Sequence, residues 1–535
     1  MSFDPIRLEI FKHLFASIAE EMGSVLRKSS YSPNIKERRD YSCALFDPQA
    51  QMIAQAAHIP VHLGSMPLSV QAAIQQFKGD LQPGDAVILN DPFRGGTHLP
   101  DITIVSPVFD HAAGDAQLVG FVASRAHHAD VGGMTPGSMP VGRELFQEGL
   151  IIPPVKLVHA GQTDAGILNL ILANVRTPAE RQGDLLAQLA ANQRGSERLQ
   201  AMVACYGNAE ISVAMQALLA YSERMTRNLI ASLPDGTYTF TDYLDNDGIN
   251  NQPVPICVAI KIAGDQARVD FNGSAPQQEG NINAVYAITL SAVYYVFRCL
   301  LGLDVPNNSG CLLPVEVIAP PGSVVNARMP AAVAGGNVET SQRIVDVLLG
   351  ALAQACPERI PAASQGTMNN ITIGGVTLDG EGSFTYYETL AGGTGASQTQ
   401  DGAAAVHSHM TNTLNTPAEA LEYAYPLRVE RYEVRQGSGG AGHTRGGDGL
   451  RRDLRVLGRC QATLLTERRE RPPYGLNGGQ PGQCGRNVIL RGDEEIALPG
   501  KGTIDLQPGD VISIQTPGGG GFGTPTASPS KLGQP

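Results

Sequence analysis

Histidine and aspartate cluster in two short segments, and these residue types could do chemistry together. The first segment is His98-Leu99-Pro100-Asp101, and the second contains His127, His128 and Asp130. Pro100 fixes the backbone, so the turn can direct His98 and Asp101 toward one point. Imidazole and carboxylate ligands suit zinc, manganese or ferrous iron. The two clusters indicate a divalent metal site, with hydrogen-bonded histidines and capping aspartates as the alternative interpretation.

Two other histidine pairs give a weaker signal. His58 and His62 flank Pro60, which disfavours a helical pair of ligands at i and i+4. His407 and His409 alternate as in a strand, so their side chains should tend to opposite faces. We expect the second pair at most to line a pocket.

No nucleotide-binding motif accompanies the histidines. The chain lacks a G-x-x-x-x-G-K-[S/T] phosphate loop, and no G-x-G-x-x-G follows a clear strand and opens a helix. A G-x-S-x-G nucleophile motif is also absent. Glycine clusters such as 392–395 and 518–521 are therefore interpreted as turns and close backbone packing.

The elements that must position the two clusters follow from hydrophobic periodicity. Residues 4–28 predict an amphipathic helix capped by Asp4. Apolar runs at 86–89, 102–109 and 118–124 predict strands. Both His/Asp clusters then lie at strand ends or in adjoining loops, which is where functional sites collect.

The length of 535 residues indicates two to four domains or subdomains, at roughly 100–200 residues each. We predict an α+β fold, with mixed helices and strands in several subdomains. An N-terminal α/β metal-binding domain with a helical extension should cover 1–232, and a central α/β domain 233–419. A β-rich, glycine-rich C-terminal domain should cover 420–535 and end in a mobile tail after Gly523.

The net charge of −12 excludes several partners. An acidic chain without a long basic block is a poor candidate for binding nucleic acid or an anionic membrane. The longest apolar stretch, 284–297, is too short to span a bilayer. No signal peptide is visible, and the 8 cysteines lack C-x-x-C spacing. We therefore expect reduced, mostly buried thiols and a cytoplasmic location.

Several motifs together resemble the hydantoinase B/oxoprolinase family. They are NDPF at 90–93, GGTHLPD at 95–101, AHHADVGG at 126–133, AGGNVETSQR at 334–343, GGTG at 392–395 and TPGGGGFG at 516–523. Together with the first helix they span nearly the whole chain, and their number and order make the resemblance specific.

The resemblance implies a B-type subunit of a two-part enzyme. A hydantoinase A-type partner with an actin/Hsp70-like ATPase fold would bind ATP, in a hetero-oligomer such as α2β2. The substrate would be a small cyclic amide or imide, so the chain would act as a lactamase or amidohydrolase. Two alternatives remain open: a subunit of an ATP-dependent ketone carboxylase, and a non-catalytic scaffold subunit.

The resemblance also implies roles for individual residues. His98, Asp101 and His127 match metal ligands of the family, and Asp40 matches the acid of its E-R-x-D motif, so all four residues are expected to bind the metal. His128 and Asp130 would orient these ligands or relay protons, and Arg39 or Arg125 could steady a phosphate. Phosphorylation would activate the amide carbonyl, and the metal would lower the pKa of an attacking water toward about 7.

Overall fold

The described part of this computed structural model comprises residues 4–56, 58–110, 116–302 and 304–525. Helices account for 30% of the structure and strands for 27%, which confirms the predicted mixed fold. The expected tail after Gly523 lies outside the described residues from position 526 onward, as does most of the connection expected between the strands at 102–109 and 118–124.

A seven-stranded antiparallel sheet carries both His/Asp clusters. Its strands are β1 (Tyr41–Phe46), β2 (Met52–Gln55), β3 (Ala86–Leu89), β4 (Asp101–Asp110), β5 (Gln117–His127), β6 (Val155–His159) and β7 (Gln162–Thr163). Their spatial order is β2-β1-β5-β4-β3-β6-β7. β4 and β5 therefore lie near the middle of the sheet, where neighbours on both sides hold the strand ends rigidly.

The described helices pack against this sheet and against other sheets of the structure. They are α1 (Pro5–Ser29), α2 (Pro33–Lys36), α3 (Met66–Gln76), α4 (Ala165–Ala173), α5 (Pro178–Tyr206), α6 (Asn208–Ala231), α7 (Tyr286–Leu300), α8 (Ser341–Leu352) and α9 (Ala418–Ala424). Asp4 caps α1 by accepting the Ile6 amide, as predicted. Phe15 and Met22 of α1 pack with Leu199 of α5 in one core.

The remaining strands form three further sheets. The second sheet has the order β11-β10-β9-β8, the third β13-β12-β16-β19 and the fourth β14-β15-β20-β17-β18. These strands are β8 (Gly236–Leu244), β9 (Val254–Ala263), β10 (Gln266–Asp270), β11 (Val315–Ile318), β12 (Asn370–Val376), β13 (Ser383–Glu388), β14 (Leu427–Arg435), β15 (Gly449–Val456), β16 (Cys460–Leu465), β17 (Arg486–Arg491), β18 (Glu494–Leu498), β19 (Lys501–Leu506) and β20 (Val511–Gln515). The third sheet joins strands from both sides of position 420, and the division into three domains stays a prediction.

The glycine clusters pack backbone against backbone. A Cβ added to Gly519 would lie 2.0 Å from the Thr394 carbonyl oxygen, and one added to Gly446 would lie 2.0 Å from that of Gly519. The Gly519 amide also donates to the Gly447 carbonyl at 2.9 Å. Since any side chain would separate these segments, the glycines are required for packing.

Two sequence expectations concern thiols and membranes. All eight cysteines are free, and four of them are buried, whereas Cys205 and Cys299 are exposed. Among the described helices, none has both the length and the apolar character needed to cross a bilayer.

Candidate metal centre

The pairing of β4 with β5 brings the two clusters together. Asp101 is the first residue of β4, His127 is the last of β5, and the two are direct partners across the antiparallel ladder. Side chains of paired residues point to the same face of a sheet. Asp101 and His127 therefore lie side by side.

A tightly packed loop places His98 against this pair. Asn90 pins the loop by donating to the carbonyl oxygens of Leu99 and Leu150, at 2.8 and 3.0 Å. Gly95 has a φ of +90°, and a Cβ there would lie 2.5 Å from the Leu68 carbonyl oxygen. The backbone leaves no room for another residue at Gly95, so the path of the loop to His98 is fixed.

Asp101 is the centre of the resulting cluster. Its Oδ1 lies 3.1 Å from His98 Nε2 and 3.3 Å from His127 Nδ1. Its Oδ2 accepts a hydrogen bond from Thr97 Oγ1 at 2.7 Å. One candidate ligand atom from each of His98, Asp101 and His127 lies within 4.8 Å of the other two, and all three residues are buried.

Burial and mutual charge set the protonation of this cluster. Burial alone would raise the pKa of Asp101, but the adjacent imidazoles of His98, His127 and His62 outweigh it and hold that pKa well below its usual range. Burial also lowers the pKa of His127. An ionised Asp101 carboxylate beside a neutral His127 imidazole is the protonation state that metal binding requires.

Asp40 lies at the edge of this cluster. Its carbonyl oxygen accepts the His127 amide at 3.0 Å, and its carboxylate lies 3.7 Å from Arg38 Nη2. Burial raises the pKa of Asp40, although His127 and Arg38 oppose the shift. Asp40 is thus near the three-residue cluster without being part of its tight group of ligand atoms.

His62 joins the site, although the spacing of His58 and His62 is only a weak signal for metal binding. His62 is the last residue of a 3₁₀ turn that begins at Pro60. This turn brings the side chain to Asp101, although Pro60 disfavours a helical pair of ligands at i and i+4. His62 Nε2 lies 3.4 Å from Asp101 Oδ2, and His62 Nδ1 lies 2.8 Å from Ser42 Oγ. His58 instead accepts the Cys43 amide at 3.1 Å.

Two side chains from distant segments of the chain pack against the histidines of the cluster. Asn337 Nδ2 lies 3.1 Å from His98 Nε2. The Tyr387 ring stacks on His127, with 4.2 Å between ring centroids and 14° between planes. Asn337 belongs to one of the motifs that carry the family resemblance, but the motif alone assigns it no role, and no pattern in the sequence indicates Tyr387.

The structure does not bring His128 and Asp130 into this cluster. His128 follows His127 directly and hydrogen-bonds Gln188 at 2.9 Å. Asp130 Oδ2 accepts from Arg176 Nη1 at 2.9 Å, and its Oδ1 accepts the amide of Gly132 at 3.0 Å. Asp130 therefore holds together the loop that follows β5, and His128 ties its beginning to α5.

Four other predicted residues also lie apart from the ligand group. Arg39 is exposed, whereas Arg125 is buried and donates to hydroxyl groups, including Ser65 Oγ at 2.6 Å. His409 Nε2 lies 3.9 Å from Asp346 Oδ1, and burial lowers the pKa of His407 to about 4.

The donors that are present fit a divalent metal ion. His98 Nδ1 and His127 Nε2 are buried, and no described residue hydrogen-bonds either nitrogen, which is costly unless another ligand satisfies them. A cavity of about 20 Å³ lies between Asp40, His62, Asp101, His127 and Tyr387. This is room for about one water molecule. Nitrogen and carboxylate donors around a small polar space suit zinc, manganese or iron.

Comparison with known proteins identifies the family. The family model described as Hydantoinase B/oxoprolinase matches residues 4–525. The chain belongs to this family. It is 41% identical to 5-oxoprolinase 1 of Arabidopsis thaliana over 97% of its own length, and 32% identical to a putative D-/L-hydantoinase subunit of Pseudomonas sp. over 98%. It spans 42% of the Arabidopsis protein and 90% of the Pseudomonas subunit.

Solved structures show the same fold. The ATP-dependent caprolactamase of Pseudomonas jessenii superposes with a TM-score of 0.91 at 30% identity, over 98% of this chain and 92% of that one. An acetone carboxylase described as ATP-dependent superposes with a TM-score of 0.87 at 20% identity, over 97% of this chain and 76% of that one. The second likeness concerns the fold alone.

Proposed function

We propose that this chain is the metal-dependent hydrolytic subunit of an ATP-dependent amidohydrolase that opens a lactam or cyclic imide ring. A separate hydantoinase A-type subunit would bind ATP and phosphorylate the ring carbonyl. The observation that carries the proposal is the buried His98–Asp101–His127 cluster, in a chain with 30% identity to an ATP-dependent caprolactamase.

His98, Asp101 and His127 would hold the metal, with Asp40 as a nearby further acid. A bound divalent ion would supply Lewis acidity and lower the pKa of a water molecule. Asp101 supplies the negative charge of the site, and Thr97 orients its second oxygen. Tyr387 and Asn337 fix the rings of His127 and His98.

The protein groups around the cluster also suit proton handling. His62 faces Asp101 through Nε2 and Ser42 through Nδ1. Burial lowers the pKa of His62, so the ring is neutral near pH 7. We assign His62 the role of holding a proton during ring opening, in which the leaving nitrogen must gain one.

The proposal is tested with the chain co-purified with an A-type subunit. Lactam-dependent release of phosphate and ring-opened product should require both subunits, and chelation of the metal should abolish product formation. The chain alone should not hydrolyse ATP. ATP turnover by the chain alone, or full product formation after complete metal removal, would contradict the proposal.

The same assay separates the two alternatives. A ketone carboxylase would consume bicarbonate together with ATP and a ketone, and a scaffold would bind no metal. Bicarbonate should therefore have no effect on the reaction, and elemental analysis of the purified chain should find a divalent ion.

A further inference from the structure

The segment 334–343 contains a buried acid for which the proposed chemistry has no use. Glu339 lies in the π-helical turn Gly336–Thr340, two residues after Asn337, and its side chain is fully buried. Glu339 Oε1 accepts the Met368 amide at 3.1 Å and Asn370 Nδ2 at 2.8 Å. A buried carboxyl group is expensive, so two well-made hydrogen bonds indicate a specific role.

The first connection from Glu339 leads to His127. Asn370, held through its amide nitrogen by Glu339, accepts the Tyr387 hydroxyl hydrogen bond through Oδ1 at 2.8 Å. Tyr387 in turn stacks on the His127 ring. Asn370 Nδ2 donates both to Glu339 and, at 3.2 Å, to the Leu465 carbonyl oxygen. Because an amide held from one end can present only its oxygen at the other, these two bonds together determine where the Tyr387 hydroxyl lies, and the shorter one is to Glu339.

The second connection leads to His98. The turn that carries Glu339 also carries Asn337, whose side chain meets His98 Nε2 at 3.1 Å. This turn is held in a tight position, since a Cβ added to Gly336 would lie 1.9 Å from the Asn283 carbonyl oxygen. The bond from the Met368 amide to Glu339 ties the same turn to the chain entering β12.

We propose that Glu339 is a positioning residue for the metal centre. Through Asn370 and Tyr387 it sets the orientation of the His127 ring, and through the turn it shares with Asn337 it sets the contact to His98. This inference rests on the proposed metal site. Residues that orient metal-binding histidines typically contribute about 10- to 100-fold to metal affinity or activity.

The test measures the affinity of the purified chain for Zn²⁺ by competition with a chelating dye, and the visible absorption spectrum of bound Co²⁺. Glu339→Ala should weaken Zn²⁺ binding by about 10- to 100-fold and change the Co²⁺ spectrum. Glu339→Gln should restore both, because its amide oxygen can accept the same two hydrogen bonds. Asp85→Ala is the control, since it also removes a buried carboxyl that accepts hydrogen bonds from two amide groups.

Tyr387→Phe tests the same positioning role with a smaller change. It removes only the hydroxyl bonded to Asn370, so folding should be preserved even where Glu339→Ala is unstable. Zn²⁺ affinity should fall in this variant too. The double variant should bind little more weakly than Glu339→Ala alone, because both changes break one chain of contacts.

The outcomes separate this inference from the function on which it rests. A wild-type chain that binds Zn²⁺, with Glu339→Ala and Tyr387→Phe binding equally well and giving the same Co²⁺ spectrum, would overturn the positioning role alone. Failure of Glu339→Gln to restore binding would also count against it. A wild-type chain that binds neither ion would overturn the proposed metal centre and this inference with it.

Discussion

Replacing His98 by alanine is the most direct test of the metal centre. His98 is fully buried, lies 3.1 Å from Asp101 Oδ1, and has a second ring nitrogen without a partner. The change removes one of the three clustered donors. His128→Ala is the matched control, because His128 is equally buried but hydrogen-bonds Gln188 outside the cluster.

The magnitude follows from the position of the ring in the site. Loss of a residue that merely orients a ligand costs about 10- to 100-fold in metal affinity, so loss of the ligand itself should cost at least about 100-fold. That factor corresponds to at least about 2.7 kcal/mol of binding free energy. Alanine opens space in which a water molecule can bind, which would offset part of the loss.

The assay compares zinc affinity and zinc-induced stabilisation in wild type, His98→Ala and His128→Ala. Zinc that binds only the folded chain stabilises it in proportion to the logarithm of ligand concentration over Kd. His98→Ala should lose most of this stabilisation, whereas His128→Ala should keep it despite a lower stability without metal. Wild-type zinc affinity in His98→Ala would refute the assignment of His98 as a ligand.

Two further predictions concern buried charges away from the site. Burial raises the pKa of Glu148 to about 8, so the folded chain holds a proton that the unfolded chain releases above about pH 4.5. The protonated Glu148 therefore contributes fully to stability below that pH, and the contribution is lost as the pH rises through 8. Between pH 6.5 and 8, the free energy of unfolding of metal-free Glu148→Gln, measured with denaturant, should fall less steeply than that of wild type, by up to about 1.4 kcal/mol per pH unit. An unchanged slope would contradict this. Arg468→Ala should destabilise the chain by up to about 3–5 kcal/mol, because Arg468 Nη2 contacts Asp242 and Asp346 at 2.6 Å in the interior and its removal leaves the two carboxylates to share Arg343. A melting temperature equal to that of wild type would exclude this role.

The sequence predicted the part of the site that depends on local pattern. Apolar runs located β4 and β5 and placed Asp101 and His127 at their ends. Consecutive side chains of a strand point to opposite faces, and this alternation explains why His127 and His128 do not both face the cluster. The pattern was therefore sufficient to separate the two histidines, although the family motif grouped them.

The other contacts depend on tertiary packing that no local pattern contains. Asn337 meets His98 across 239 positions of sequence. Tyr387 lies in β13, in a sheet separate from the one that carries His127. Helical spacing predicts no role for His62, whereas a 3₁₀ turn that begins at Pro60 brings it to Asp101.

The convergence of these segments connects metal binding with folding. The cluster joins the end of β5 and the start of β4 to the turn before α8 and to β13, which lie far apart in the chain. An unfolded chain holds no such arrangement of donors, so the free energy of metal binding adds to the stability of the folded chain. Zinc should accordingly protect the junction between the first and third sheets, and this protection should weaken when His98 is replaced.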